Sequence, residues 1–184
     1  MALDKQSLEQ VLRTPKHQDV TESPLVKTVI INDPANAAEF VEALEWSETL
    51  EAHNARRILC LFDAKAVPYL LAKLPTASAN TRKEGLEIFW ALLAGEDHWT
   101  VREVLNQIKA DLTHLLNDTQ PLPDNMPEYI ERDFQGRICD LAFMVTQQLI
   151  DPQYDQSLFR SLDDHGRNEQ IKRLKARSFG SLVA

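Results

Sequence analysis

The amino-acid sequence predicts an all-α fold built from antiparallel helix pairs. Three observations carry that reading. Apolar residues recur at helical spacing from Asp33 onward, Gly is scarce at 5 of 184 residues, and no strand-like runs alternate with helices. Hydrophobic residues make up 43% and charged residues 26% of the chain, which is ordinary globular usage and excludes wholesale disorder. A chain of 184 residues buries about 70% of its unfolded surface, enough to hold a core without a disulfide or a metal.

Ser7-Leu8-Glu9-Gln10 opens a short first helix, because a Ser with Gln three residues on satisfies two orphan amides. Pro15 and Pro24 interrupt the chain after this helix. The β-branched run Val26-Lys27-Thr28-Val29-Ile30-Ile31 reads as extended chain packed along the helices, so residues 1–33 are expected to form a helix plus an extended segment. Asp33-Pro34 is a cap with proline at the first helical position, and Ala37, Phe40, Val41 and Leu44 make one face of a helix over 34–45. A helix over 48–62 comes next, with Arg57, Ile58, Leu61 and Phe62 near its end. Val67, Leu70, Leu71 and Leu74 stripe another, 64–74, which Pro75 ends.

Thr81-Arg82-Lys83-Glu84 is a capping box that opens a helix to Ala94, before Gly95. Within it, Gly85 costs about 1 kcal/mol against Ala and marks a close helix approach. Thr100-Val101-Arg102-Glu103 is a second capping box, opening a stripe of Val101, Val104, Leu105, Ile108, Leu112, Leu115 and Leu116 over 100–117. A proline-rich loop from Asn117 to Pro127 leads to the longest expected helix, 128–150, with Phe134, Ile138, Leu141, Ala142, Val145 and Leu149 inward. Asp151-Pro152 restarts the chain into a shorter helix near Leu158 and Leu162, and a last weak helix covers 168–177. The expected core is Phe40, Leu44, Leu61, Leu70, Leu86, Phe89, Leu105, Ile108, Leu112, Phe134, Ile138 and Leu141. Residues 34–165 are expected to form one all-helical domain, with a basic tail over 166–184 after it.

The helices pair as 34–45 with 48–62, 64–74 with 81–94, and 100–117 with 128–150. The second member of each pair shares a basic residue with an apolar residue four positions on: Arg57…Leu61, Arg82-Lys83-Glu84-Gly85-Leu86 and Arg137-Ile138-Cys139-Asp140-Leu141. In this respect residues 34–150 resemble the armadillo/HEAT class of α-helical repeats, whose second helices often open with such an arginine. The resemblance implies helix pairs stacked as a short superhelix. The matched arginines lie 25 and 55 residues apart rather than at the steady ~40 of that class, so an irregular bundle is the alternative.

Charge and cysteine content bound the function. Lys plus Arg number 20 against 28 Asp plus Glu, a net charge of −8, so sequence-independent binding to nucleic acid or an anionic membrane is not expected. Residues 166–184 carry Arg167, Lys172, Arg173, Lys175 and Arg177 against Glu169 alone. Two readings of the tail follow: a docking element outside the main core that lies on an acidic surface of its own chain or of a second copy, or a last helix packed by Ile171 and Leu174 with its Lys and Arg facing water. Cys60 and Cys139 form no CxxC pair and read as free thiols of a reducing compartment. Met1-Ala2-Leu3-Asp4-Lys5 lacks a signal-peptide pattern, and a cytoplasmic location is the expectation.

The sequence carries no phosphate loop, dinucleotide fingerprint, nucleophile elbow or zinc-binding HExxH helix. Glu96-Asp97-His98-Trp99 is the best acid/base candidate, since carboxylates beside an imidazole poise it near neutrality. The same residues make a good turn between helices. Asp163-Asp164-His165-Gly166 reads likewise as a polar turn, and His114 as a boundary residue on its helix. No cofactor, no metal and no catalytic centre are expected.

The favoured expectation is a non-catalytic adaptor or scaffold binding another protein, a homodimer included. Its face would use Arg56, Arg82, Lys83, Arg132 and Arg137 with Glu48, Glu87 and Asp133, together with Trp46 and Trp99, because tryptophan and arginine concentrate at binding hot spots. An acidic inhibitor or immunity-type protein masking a basic enzyme is the alternative, and a small enzyme using the Glu96-Asp97-His98 turn the third.

Overall fold

A computed structural model of the protein describes residues 4–46, 49–94, 112–123 and 136–180. Among the described residues the regular structure is helical and there is no β-strand, so the class is all-α. No helix among them is long and apolar enough to cross a membrane. The chain divides into two compact units, Met1–Leu105 and Asn106–Ala184. The boundary falls inside the stretch 34–165, at a point that no proline, glycine or charge run marks.

The first unit holds helices α1 (Lys5–Leu12), α2 (Ala37–Ala43), α3 (Leu50–Leu61), α4 (Val67–Lys73) and α5 (Ala79–Ala94). Asp4, rather than Ser7, caps α1, its carboxylate accepting the Ser7 amide at 3.0 Å. Buried Asn54 of α3 closes the other end of α1, donating to the Leu12 and Thr14 carbonyls at 2.8 Å each. Buried backbone carbonyls need such partners.

The extended reading of residues 26–31 is corrected. Val26–Ile30 is a short π-helix, with the Ile31 amide donating to the Val26 carbonyl at 3.2 Å, and Val26 and Ile30 are buried. The physical reason is that no strand to pair with lies among the described residues. A β-branched segment must then satisfy its amides within itself, and local helical closure does so while both apolar side chains face inward.

Helix α2 packs on α3 and α4, and α3 packs on α5. Phe40 of α2 meets Phe62 with ring centroids 6.2 Å apart. Asp63 takes a left-handed backbone (φ 51°) that turns the chain sharply from α3 into α4. Helix α5 starts two residues before the expected capping box. Ser78 accepts the Thr81 amide at 3.2 Å, so Thr81 is a buried first-turn residue and not the cap. A Cβ built on Gly85 would lie 2.7 Å from Leu74 Cδ2, which is the close approach that the glycine permits.

Of the expected core, Phe40, Leu44, Leu70, Leu86, Phe89, Leu112, Ile138 and Leu141 are buried. Leu105, Ile108 and Phe134 lie outside the described residues, as do the 100–103 capping box and most of its stripe. Leu61 is a correction, at 40% exposed, because Ala55, Ile58, Leu59 and Phe62 already fill the buried face of α3. Leu61→Ser is therefore expected to change stability by less than about 0.5 kcal/mol in urea titration, as for other surface positions.

In the second unit, residues 118–122 run along the start of helix α6 (Ile138–Ile150). The Ile138 and Leu122 amides donate to Gln120 and Gly136 carbonyls at 2.9 Å, and Cys139 donates to Asp118 at 2.8 Å. Arg137 is extended and bridged to Pro121. A helix running unbroken over 128–150 is thereby excluded: α6 begins at Ile138, and residues 128–135 lie outside the described set. At 13 residues it is also shorter than α5 at 16. Helix α7 (Gln156–Arg160) is capped by Asp155, and its Phe159 stacks on Phe143 with centroids 4.2 Å apart.

Helix α8 (Asp164–Gly180) follows the second reading of the C-terminal residues, a packed helix and not a peripheral tail. Ile171 and Leu174 are buried, and α8 packs on α6. Lys172, Arg173 and Arg177 face solvent near the helix C-terminus, where positive charge is favourable. Spacing Ile171 from Leu174 by three residues puts both on one stripe, which is enough to seat a helix whose other faces are polar.

Candidate functional site

Two charged clusters dominate the interior. In the first unit, Lys83, Glu84 and Glu87 of α5 face Arg56 of α3. Lys83 is 0% and Glu87 1% exposed, while Arg56 and Glu84 are half-buried. Arg56 Nη1 reaches a Glu84 oxygen at 3.3 Å and a Glu87 oxygen at 3.5 Å. Lys83 Nζ lies 3.6 Å from Glu84 and 3.7 Å from Glu87. Glu87 lies three residues after Glu84 and four after Lys83, the spacings that make helix residues neighbours, so the local fold gathers them around it.

Burial pushes the Glu87 carboxyl up to about 7; Lys83 and Arg56 oppose the shift and Glu84 adds to it. Cys60, one turn beyond Arg56, has its thiol pushed up by burial, against the pull of Arg56. A thiol raised in this way is a poor nucleophile at neutral pH.

In the second unit, Asp140 is fully buried. Its carboxylate accepts the Arg137 backbone amide at 2.9 Å and the Arg137 guanidinium through Nε at 3.1 Å and Nη2 at 2.8 Å. Arg167 of α8 lies 3.7 Å away and donates to the Arg160 carbonyl at 2.9 Å. Asp140 thus starts α6 and anchors α8 to it. Cys139 beside it is pushed up to about 11, by burial first and then by the Asp140 charge.

The residues expected on a binding face are distributed differently. Lys83 cannot meet a partner, since it lies wholly inside the α3–α5 seam, with Glu87 beside it. Arg56 and Arg137 are half-buried and engaged by internal carboxylates, and Arg82 is half-buried. Trp46 is 50% exposed at the α2–α3 corner, where its carbonyl accepts the Thr49 hydroxyl at 2.6 Å. Trp99, Arg132, Glu48, Asp133 and the Glu96-Asp97-His98 turn lie outside the described residues. Asp163 caps α8 by accepting the Gly166 amide at 2.8 Å, and Asp164, His165 and His114 are exposed.

A groove of about 580 Å³ lies between α1 and the turns after it, with Gln10, Val11, Thr14 and Leu25 among its walls. Its two acids are already engaged, Asp19 by Arg57 at 2.7 Å and Glu22 by Lys27. Among the described residues no group of three or more His, Cys, Asp or Glu side chains is placed to hold a metal ion.

Sequence reading missed Asn54, Asp140 and the burial of Lys83 and Glu87. A signal existed for the last two. They stand four residues apart in a stretch where Leu86, Ile88 and Phe89 leave little of the helix surface for water.

Fold and site together define a class: an all-α protein of two compact units, each with an ion cluster built around fully buried charged residues, Lys83 and Glu87 in one and Asp140 in the other. Comparison with protein-family models, with curated proteins and with solved structures found no match.

Proposed function

We propose that the chain is a non-catalytic protein–protein interaction module of the cytoplasm, using a helical surface with Trp46 as an anchor. One observation carries the reading. Trp46 exposes half of a large aromatic surface on a corner fixed by the Thr49 hydrogen bond, while Ala43 and Leu44 beside it are buried. A rigid, amphipathic ring that loses little entropy on contact is the usual anchor of a protein interface. The charged groups support the same reading. The best-formed clusters, Arg56–Lys83–Glu84–Glu87 and Arg137–Asp140–Arg167, are ion pairs that join helices to one another.

Whether the helix pairs form an armadillo/HEAT-like superhelix belongs to the same proposal. The three matched arginines differ in place: Arg57 lies inside α3, Arg82 in the first turn of α5, and Arg137 at the cap of α6.

Capture of partners from lysate with the wild-type chain and with Trp46→Ala, then binding measurements on the purified partner, tests the reading. Truncating a hot-spot tryptophan costs at least about 2 kcal/mol, roughly 30-fold in Kd, with the melting temperature unchanged. Equal affinity of the two proteins for every captured partner would overturn it. A strongly basic enzyme that loses activity on binding would select the inhibitor reading instead.

A further inference from the structure

We propose that the second unit carries a surface for a second copy of this chain, the arginine stripe of α8 in one copy covering the apolar turn at the end of α6 in the other. Leu158 of α7 is 65% and Ile150 of α6 47% exposed, on either side of the turn 151–155. Gln148 Nε2 donates to the Pro152 carbonyl at 3.0 Å and Gln156 Nε2 to Gln148 Oε1 at 3.1 Å, so the turn folds back onto the end of α6. Asp151 and Asp155 rim it. Each accepts a local backbone amide, from Gln153 at 3.0 Å and Ser157 at 2.9 Å, and neither faces a cation among the described residues. The matching charges stand on α8. Arg173 and Arg177 are exposed one turn apart on one helix face, and neither pairs with an acid or a carbonyl among the described residues. Their neighbours are engaged, Lys172 with Glu169 at 3.8 Å and Lys175 with Asn117 at 2.6 Å.

Stripe and turn lie at opposite ends of α6. The Lys175–Asn117 bond, next to the Cys139 amide donating to the Asp118 carbonyl at 2.8 Å, holds this half of α8 beside the start of α6. The turn is at the other end, about 20 Å along a helix of 13 residues. A second copy set antiparallel along α6 brings each stripe to the other's turn, so every contact is made twice, as in an isologous pair. Arginine stems lie readily on apolar surface while their guanidinium groups reach carboxylates. A foreign acidic partner would match the stripe alone and leave Leu158 uncovered, whereas a second copy answers both. The surface is independent of the Trp46 corner, which belongs to the other unit.

Sedimentation equilibrium of the whole chain tests the proposal. The mean mass should rise from 21.0 kDa toward twice that between about 10 µM and about 1 mM, the range of a weak specific contact. It should rise less in about 1 M salt, where charges are screened beyond about 3 Å. Arg173→Glu/Arg177→Glu sets glutamates against Asp151 and Asp155 and should weaken association by about tenfold or more. Asp151→Lys/Gln153→Lys should do the same, and it leaves the Asp155 cap of α7 in place. A mixture of the two variants should regain the wild-type mass, because reversed stripe then meets reversed turn and native stripe meets native turn. Trp46→Ala should associate as wild type. A wild-type chain that stays at 21.0 kDa throughout would overturn the proposal, as would a mixture that remains monomeric. Leu158→Ser changes only an exposed position and serves if a charge variant does not fold: loss of association is expected, and full association would overturn the proposal.

Discussion

Replacing Lys83 with Met is expected to destabilise the Met1–Leu105 unit by about 3–5 kcal/mol, the usual cost of leaving a buried charge without its partner. Lys83 Nζ lies within 3.7 Å of two carboxylates, and the side chain is fully buried. Met fills similar volume, so the loss reports charge and not a cavity. The double variant Lys83→Met/Glu87→Leu removes both ends of the deepest pair and leaves Arg56 with Glu84. It is expected to return to within about 1 kcal/mol of wild type or to exceed it, because well-packed apolar groups often equal a buried ion pair. All three tryptophans, Trp46, Trp90 and Trp99, belong to this unit, so fluorescence-monitored urea unfolding reads it directly. A single variant as stable as wild type would show that water reaches the seam.

Asp140→Asn is expected to destabilise the Asn106–Ala184 unit by a similar amount, about 3–5 kcal/mol. The amide keeps the shape and removes the charge that faces Arg137 at 2.8 Å and Arg167 at 3.7 Å. It also exchanges one carboxylate oxygen for an NH₂ beside two donors, so hydrogen bonds are lost with the charge. Amide exchange in α6 and α8 is the measure, because Asp140 starts one helix and anchors the other. Both helices should lose protection together, while α3 and α5 stay as in wild type. A change below about 1 kcal/mol in both would mean that Arg137 alone sets the start of α6, with the cluster contributing little.

Much of the fold was legible because a helical stripe announces itself locally. Phe40 and Leu44, or Ile138 and Leu141, are three or four residues apart and need no knowledge of their neighbours to be read as one face. Residues 26–31 were misread because β propensity says how well a side chain fits a pleated surface, and nothing in the stretch tells whether such a surface is there to meet it. Leu61 failed for a related reason. Its spacing is right, but Ile58, Leu59 and Phe62 occupy the face, and only the packing decides which apolar residue is left over. For the basic C-terminal helix, charge pointed to a peripheral tail and Ile171 with Leu174 to a packed helix; the arginine reaching a buried aspartate, which helps to hold it in place, leaves no local signal. Charged residues named for a binding face were visible as residues but not as to side. Whether Lys83 points to water or into the seam depends on Arg56, 27 positions earlier in the chain. Trp46 was legible as a corner residue, and its exposure was not.

The proposed role turns on whether the Trp46 corner meets another protein in the cell. A photo-crosslinking amino acid at position 46, with the exposed position Lys65 as control, tests this most directly. One discrete adduct with a single protein from position 46, absent from position 65 and competed by the unlabelled wild-type chain, is the expected result. No adduct specific to position 46, or the same diffuse pattern from both positions, would contradict a binding surface there.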